Sequence, residues 1–356
     1  MKILVNCPNI NVIGGVANHY LGLKPYWNEN IKYNYIGGRR QFYGVFAFIR
    51  KIRTLYIIIK YIVKLLCFNP DVVLINVSLV RKGMSLPLLL NRIATCLGRK
   101  TVLFIHGWRI DYEKDFFSSK RFDSLKKADG IIVLANDFKQ KLIQNGYKGK
   151  IYLTTTKVDD RLIENFNINK RTGKIENILF LARVEKQKGI FEAIKTFEIL
   201  KEKYNKLKFR IVGDGTALRE AKKYVENHKV NDISFPGNLN GEKLLQEFNV
   251  ADIYLLPTYG EGMPTSLLEA MAFGLPVITR PVGGIKDFFD ENMGIITESL
   301  DPQVYADAIE QYINDSEKTL AVSRYNYEYA KEHFMASKVA LSMEQILREI
   351  HHSQSK

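Results

Sequence analysis

Apolar residues in this chain gather in short unbroken runs instead of alternating with polar ones. In the first half the runs are Lys2–Val5, Tyr33–Ile36, Val72–Asn76, Thr101–Ile105, Ile131–Leu134 and Ile151–Thr154. In the second half they are Asn177–Leu181, Phe209–Val212, Ile233–Phe235, Ile253–Leu256, Pro276–Thr279 and Gly294–Thr297. Continuous runs of this kind suit strands buried on both faces of a parallel sheet. Longer stretches with helical spacing separate them, as with Ile190, Ile194, Phe197 and Leu200. Strand–helix–strand repetition predicts doubly wound α/β layers, and twelve strands divide more comfortably into two six-stranded domains than one open sheet. The polar stretch Asn165–Glu176 marks the expected boundary, giving domains at 1–168 and 169–329 followed by a helical tail. In such folds ligands meet the C-terminal ends of the strands, so residues that follow strands are the first candidates for a site.

Composition narrows the class. The chain has 356 residues, 46% hydrophobic and 25% charged, which is ordinary globular composition. Its three cysteines, Cys7, Cys67 and Cys96, form no CxxC pair, so a disulfide framework is not expected and a reducing compartment is favoured. The apolar start at Ile3–Val5 turns polar at Asn6 and reads as a first strand, not a signal-peptide core. No stretch is apolar enough to predict a spanning helix. The net charge of +14 is unevenly placed: residues 1–110 hold 16 basic and 2 acidic side chains, while the remainder holds 36 of each. One half of the molecule is therefore expected to meet an anionic partner, a membrane surface or a nucleic acid. The aromatics sit within apolar runs, not interleaved with basic residues as stacking platforms, which disfavours nucleic acid.

Six segments carry candidate chemistry. After the strand ending at Leu256 comes Pro257-Thr258-Tyr259-Gly260-Glu261-Gly262-Met263-Pro264-Thr265, then a helix that Gly274 and Pro276 terminate. Its N-terminus suits a phosphate, and Glu261 and Glu269 offer two acceptor-only carboxylates suited to sugar hydroxyls. A capping acid and an exposed helical acid are the plainer reading. Arg183 and Lys188 follow a strand five residues apart and together could neutralise a diphosphate; a solvated loop is the alternative. Gly14-Gly15 and Gly283-Gly284 each follow a strand, where backbone could approach a ligand or simply turn. His106, also at a strand end, is either a sugar-contacting imidazole or a structural histidine. Arg50, Arg53, Lys60 and Lys64 lie near one face of a helix within Phe46–Phe68, fit either for an anionic membrane surface or for packing on the sheet with solvated cations. Walker A, GxSxG, HExxH, zinc-pairing and Asp-x-Asp motifs are absent from the sequence, so no metal ligand is assigned and no cofactor is expected.

Arg183…Lys188-Gly189 followed by Glu261-Gly262-Met263-Pro264…Glu269-Ala270 resembles the GT-B-fold retaining glycosyltransferases of family 4. The likeness extends to Gly14-Gly15, His106, the strand Ala128–Val133, Val212-Gly213-Asp214-Gly215 and Gly283-Gly284. It implies a GT-B fold of two facing Rossmann-like domains, the first on the acceptor side and the second binding a nucleotide sugar. The C-terminal helix, about 330–356, would cross back to the first domain. It implies that Arg183 and Lys188 hold the donor diphosphate, that Glu269 binds the ribose, and that Glu261 with the backbone of Gly262, Met263, Pro264 and Thr265 binds the donor sugar. His106 would contact that sugar near its reacting carbon. Gly14, Gly15, Gly213 and Gly283 would line the donor site, and Asn238 and Leu239 would lie by the base. The family's Asn-Gly-Val-Asp is Thr156-Lys157-Val158-Asp159 here, and its Gly-Gly-x-Pro-Glu is Gly283-Gly284-Ile285-Lys286-Asp287.

The resulting expectation is a retaining, metal-independent transferase. It would move a sugar from a nucleoside diphosphate, UDP or GDP, to a saccharide acceptor, polyprenyl-linked or free, in bacterial capsule, O-antigen or related surface polysaccharide assembly. It would be cytoplasmic and peripheral on the inner membrane face, with no nucleic-acid partner. An epimerase or phosphorylase on the same fold, or a non-catalytic scaffold that binds sugar nucleotides, are the alternatives.

Overall fold

A computed structural model describes residues 1–10, 14–36, 47–79, 84–108 and 112–353 of the chain, without the side chains of 47–51. All twelve expected strands form. In the first sheet they are β1 (Lys2–Cys7), β2 (Asn30–Tyr35), β3 (Val72–Leu79), β4 (Lys100–Trp108), β5 (Gly130–Val133) and β6 (Lys150–Leu153). In the second they are β7 (Asn177–Leu181), β8 (Lys208–Val212), β9 (Ile233–Gly237), β10 (Ile253–Leu256), β11 (Val277–Thr279) and β12 (Gly294–Ile296). Every pairing is parallel, in the orders β2-β1-β3-β4-β5-β6 and β12-β11-β10-β7-β8-β9. The central strands are buried along nearly their whole length, which is why their sequences lack alternation.

Helices cover the first sheet as α1 (Gly15–Leu23), α2 (Ala47–Phe68), α3 (Ser85–Cys96), α4 (Glu113–Phe117), α5 (Lys120–Leu125) and α6 (Asn136–Gln144). The second sheet carries α7 (Ile190–Lys203), α8 (Leu218–Asn227), α9 (Gly241–Val250), α10 (Thr265–Ala272), α11 (Ile285–Phe288), α12 (Pro302–Asn314) and α13 (Ser316–His333). The chain ends in α14 (Ala336–His352).

Two compact units result: unit 1 is Met1–Thr156 with Ala336–Lys356, and unit 2 is Lys157–Met335. The division falls after Thr156, upstream of the expected Asn165–Glu176, because that polar stretch is bound to unit 2. Val158 N–H donates to Phe334 O at 2.8 Å, and Ile163 and Ile175 are buried in the second core. The Arg171 guanidinium donates to the backbone carbonyls of Phe248, Ala251 and Phe273. Arg171 thus bonds to protein, not water, and composition alone does not separate the two.

Helix α14 lies in unit 1, where the buried Glu344 carboxylate accepts the N–H groups of Asn28 (2.6 Å) and Glu29 (2.8 Å). Arg348 and the N-terminal ammonium both pair with Glu29 at 2.7 Å. No helix among the described residues is long and apolar enough to cross a membrane.

Candidate active site

In unit 2 the strand order reverses between β7 and β10, which are hydrogen-bonded neighbours although α7, β8, α8, β9 and α9 separate them in sequence. Doubly wound sheets bind ligands at such a reversal, where loops diverge to opposite sides. The loop after β7 carries Arg183 and Lys188, and the loop after β10 carries Glu261. The two loops are stitched together: Gln187 O accepts Tyr259 N–H at 2.9 Å and the Thr258 hydroxyl at 3.2 Å. Lys188 Nζ then reaches Glu261 Oε1 at 2.5 Å, with both side chains largely enclosed. Arg183 extends outward and pairs with Glu185 at 2.7 Å. The structure thus joins Lys188 directly to Glu261, two residues whose separate roles gave no hint of a contact.

Pro264 caps α10, which begins at Thr265 and ends where Gly274 turns left-handed at φ 67°. The buried Tyr254 of β10 anchors this helix: its hydroxyl donates to Leu181 O at 3.1 Å and lies 2.8 Å from Ser266 Oγ. Gly262, Met263 and Thr265 are half-buried at the start of the helix and Pro264 is buried. Glu269, one turn further in, is buried, and burial pushes its carboxyl up to about 7; the charge of Lys157 opposes that shift and Asp159 adds to it. Lys157 is itself buried and held below the usual lysine range by desolvation. Lys157 and Asp159 occupy the segment where the sequence departs from the family pattern, and nothing in their spacing marked them as neighbours of Glu269.

The glycines divide into two kinds. At Gly283, φ is +57° and a Cβ would sit 2.1 Å from Glu261 O, while Gly284 N–H donates to Gly262 O at 2.7 Å. Gly283 is therefore needed to seat the β11 loop under the Glu261 loop. Gly213 likewise packs on protein, its Cβ position only 1.9 Å from Ala182 O. Gly14 and Gly15 differ: an ideal Cβ at either meets no heavy atom of the described residues within 4 Å. Asn238 is exposed and Leu239 half-buried on the loop after the edge strand β9.

Unit 1 also reverses its order, between β1 and β3. A line of buried amides crosses this point. Asn34 Nδ2 donates to Asn6 Oδ1 (2.7 Å), Asn76 Nδ2 donates to Asn6 O (2.8 Å), and Asn76 Oδ1 accepts the Tyr20 hydroxyl (2.9 Å). His106 Nε2 lies 2.6 Å from the same Asn76 Oδ1. The His106 ring packs on Phe104, with centroids 3.7 Å apart, and edge-on to His19 at 5.2 Å. Burial, helped by the nearby His19, holds its pKa well below the usual imidazole range, so it is neutral at pH 7. The sequence did show a signal for this network: single asparagines inside the apolar strands at positions 6, 34 and 76.

Helix α2 has one buried face and one exposed face. It packs through Tyr61, Leu65 and Phe68, while Ile52, Leu55, Tyr56, Ile59, Val63 and Leu66 are between 51% and 61% exposed. The outward face is apolar, and Arg53 and Lys60 are exposed along its flank. Lys64 turns inward instead, donating to Tyr33 O at 2.9 Å. Arg50 is on the first turn, its side chain outside the described residues. Among the described residues no group of three or more metal-ligating side chains clusters.

Residues 163–329 match the family Glycosyl transferases group 1. That span lies wholly within unit 2 and contains the loops after β7, β9, β10 and β11, while Lys157 and Asp159 precede it. Over the whole chain, solved structures superpose. A sucrose-phosphate synthase from Thermosynechococcus elongatus does so with TM-score 0.73 at 16% identity, covering 98% of both chains. Anabaena HepE, solved in complex with UDP, gives 0.72 at 15% identity, covering 98% of this chain and 100% of its own. The fold is GT-B. Among curated relatives, the amylovoran biosynthesis glycosyltransferase AmsK of Erwinia amylovora is 29% identical over 173 residues, 46% of this chain and 42% of its own length. The D-inositol 3-phosphate glycosyltransferase of Corynebacterium urealyticum is 28% identical over 163 residues, 43% of this chain and 38% of its own. The matched stretch spans about half the length of such relatives, 40% to 58% for the first three.

Proposed function

We propose that this protein is a retaining, metal-independent glycosyltransferase that moves a sugar from a nucleoside-diphosphate donor to a saccharide acceptor in surface polysaccharide assembly. The observation that carries this reading is the convergence of Lys188, Glu261 and the α10 N-terminus on the β7/β10 reversal of unit 2. A departing diphosphate needs cations and oriented N–H dipoles, and these are the groups gathered there. Lys188 and Arg183 take the diphosphate, each leaving its present carboxylate partner in favour of phosphate oxygens. Glu261, freed from Lys188, accepts sugar hydroxyls, and Glu269 accepts the ribose hydroxyls. The acceptor attacks on the face from which the diphosphate departs. HepE, of the same fold, was solved with UDP, which supports a nucleoside-diphosphate donor. The amylovoran relative supports the polysaccharide setting. The basic first 110 residues and the apolar outward face of α2 support a lipid-linked acceptor reached at an anionic membrane surface.

The test is thermal stability with UDP, GDP, ADP and CMP, each with and without EDTA. A ligand at 100 times its Kd adds about 2.7 kcal/mol, which raises Tm by several degrees. Selective stabilisation by one diphosphate, unchanged by EDTA, is the expected result and names the base. No response to any nucleotide would overturn the donor site.

A further inference from the structure

Asn76 is the junction of the amide line in unit 1, and its orientation is not a free choice. Its Nδ2 faces the backbone carbonyl of Asn6 at 2.8 Å, and a carbonyl can only accept. The amide oxygen is thereby fixed on the other side, where it meets His106 Nε2 at 2.6 Å and the Tyr20 hydroxyl at 2.9 Å. An amide oxygen can only accept, so Nε2 must carry the proton. In a neutral ring the other nitrogen, Nδ1, then bears a lone pair, and no hydrogen bond to Nδ1 is made by the described residues.

We propose that Asn76 is a positioning residue: braced by the Asn6 carbonyl, it holds His106 as the Nε2–H tautomer, so that Nδ1 accepts a hydroxyl of the bound sugar or acceptor. This rests on the glycosyltransferase reading above for the identity of the hydroxyl, not for the tautomer. The logic runs through strand order. Asn6 and Asn76 sit on β1 and β3, the pair at which unit 1 reverses, and His106 follows on β4. The sheet therefore sets the imidazole through the Asn76 side-chain amide, itself held by the backbone carbonyl of Asn6. Ionisable groups packed on the ring are His19 and Tyr20 of α1, with centroids at 5.2 and 6.2 Å. Neither is an acid, so nothing there stabilises an imidazolium, in keeping with the lowered pKa.

The first experiment needs no variant of Asn76. Nitrogen-15 NMR of the full chain labelled at histidine, with the His106 signals assigned by their loss in His106→Ala, reads the tautomer at pH 7. A protonated Nε2 with a bare Nδ1 is expected; the opposite tautomer or an imidazolium overturns the proposal. The second is Asn76→Asp, which sets a carboxylate against Nε2 and favours the charged ring. The acidic limb of kcat/KM should move up by about one to three pH units, with activity recovering at alkaline pH and KM for the nucleotide sugar's diphosphate end little changed. A loss that is the same at every pH would mean a merely structural residue. If no nucleotide sugar is turned over at all, the glycosyltransferase reading fails, while the NMR result still decides the tautomer.

Discussion

Lys188 and Glu261 form a mostly enclosed ion pair between loops that begin on adjacent strands. Each group satisfies the other, so either one removed alone leaves a half-buried charge. Lys188→Ala is expected to lower kcat by about 10²–10³-fold, the scale of losing one stabilising group at a developing charge. Lys186→Ala, which removes an exposed lysine paired with Glu220, serves as the control with an unaltered rate. An unchanged rate in Lys188→Ala would remove that residue from the site. Glu269 makes a second residue-scale prediction. Its carboxyl has a folded pKa pushed up to about 7, from an ordinary 4.5. The folded state therefore binds more protons than the unfolded one between those values. Its contribution to stability is complete below about 4.5 and lost as pH rises through about 7. Glu269→Gln should melt higher than the parent above pH 7 and bind nucleoside diphosphate more weakly. Parallel Tm–pH curves for the two proteins would show that Glu269 is not the group responsible.

At the scale of elements, α10 and α2 show how differently sequence and structure converge. Helix α10 was legible almost to the residue, because Pro264 before it and Gly274 after it are local signals that act through backbone geometry alone. Helix α2 was legible in extent but not in orientation. Its cations and its apolar residues both repeat at helical spacing, so periodicity shows two candidate faces. The choice was made by the pocket under Tyr61, Leu65 and Phe68 and by the carbonyl of Tyr33 that takes Lys64. The outward row of Ile52, Leu55, Ile59, Val63 and Leu66 then has no place in the core. Binding to vesicles with anionic headgroups should be strong at low salt and weaken as salt rises. Replacing Leu55 and Ile59 together by Ser should abolish it. Equal binding to neutral vesicles, or none to either, would refute a membrane-facing role.

For the whole molecule, the twelve strands and the two-sheet division were readable because continuous apolar runs are produced by burial on both faces and by little else. The candidate residues after β7 and β10 were readable because strand ends are where such sheets place chemistry. What stayed hidden is long-range pairing: Lys188 with Glu261, Glu269 beside Lys157, and Asn76 under His106 depend on which strands become neighbours. The unit boundary was hidden for another reason, since Arg171 looks solvated in sequence yet serves backbone carbonyls of unit 2.

The return of α14 to unit 1 means that unit 2 is inserted within unit 1. Ribosomal synthesis proceeds from the N-terminus, and domains tend to fold as their last residue emerges. Unit 2, one continuous segment, is complete once Met335 has been made. Unit 1 begins before unit 2 and finishes after it, because the Glu344 carboxylate that receives the Asn28 and Glu29 amides is made after Met335. Its nascent form spends the whole synthesis of unit 2 with those amides unanswered and the seat of α14 uncovered. Residues 157–335 expressed alone should give a cooperative melting transition, whereas residues 1–156 alone should aggregate until a peptide of residues 336–353 is added. A soluble, cooperatively melting 1–156 fragment would refute this order. Maturation is thus split in time, with the half that carries Lys188 and Glu261 formed before the half that carries His106.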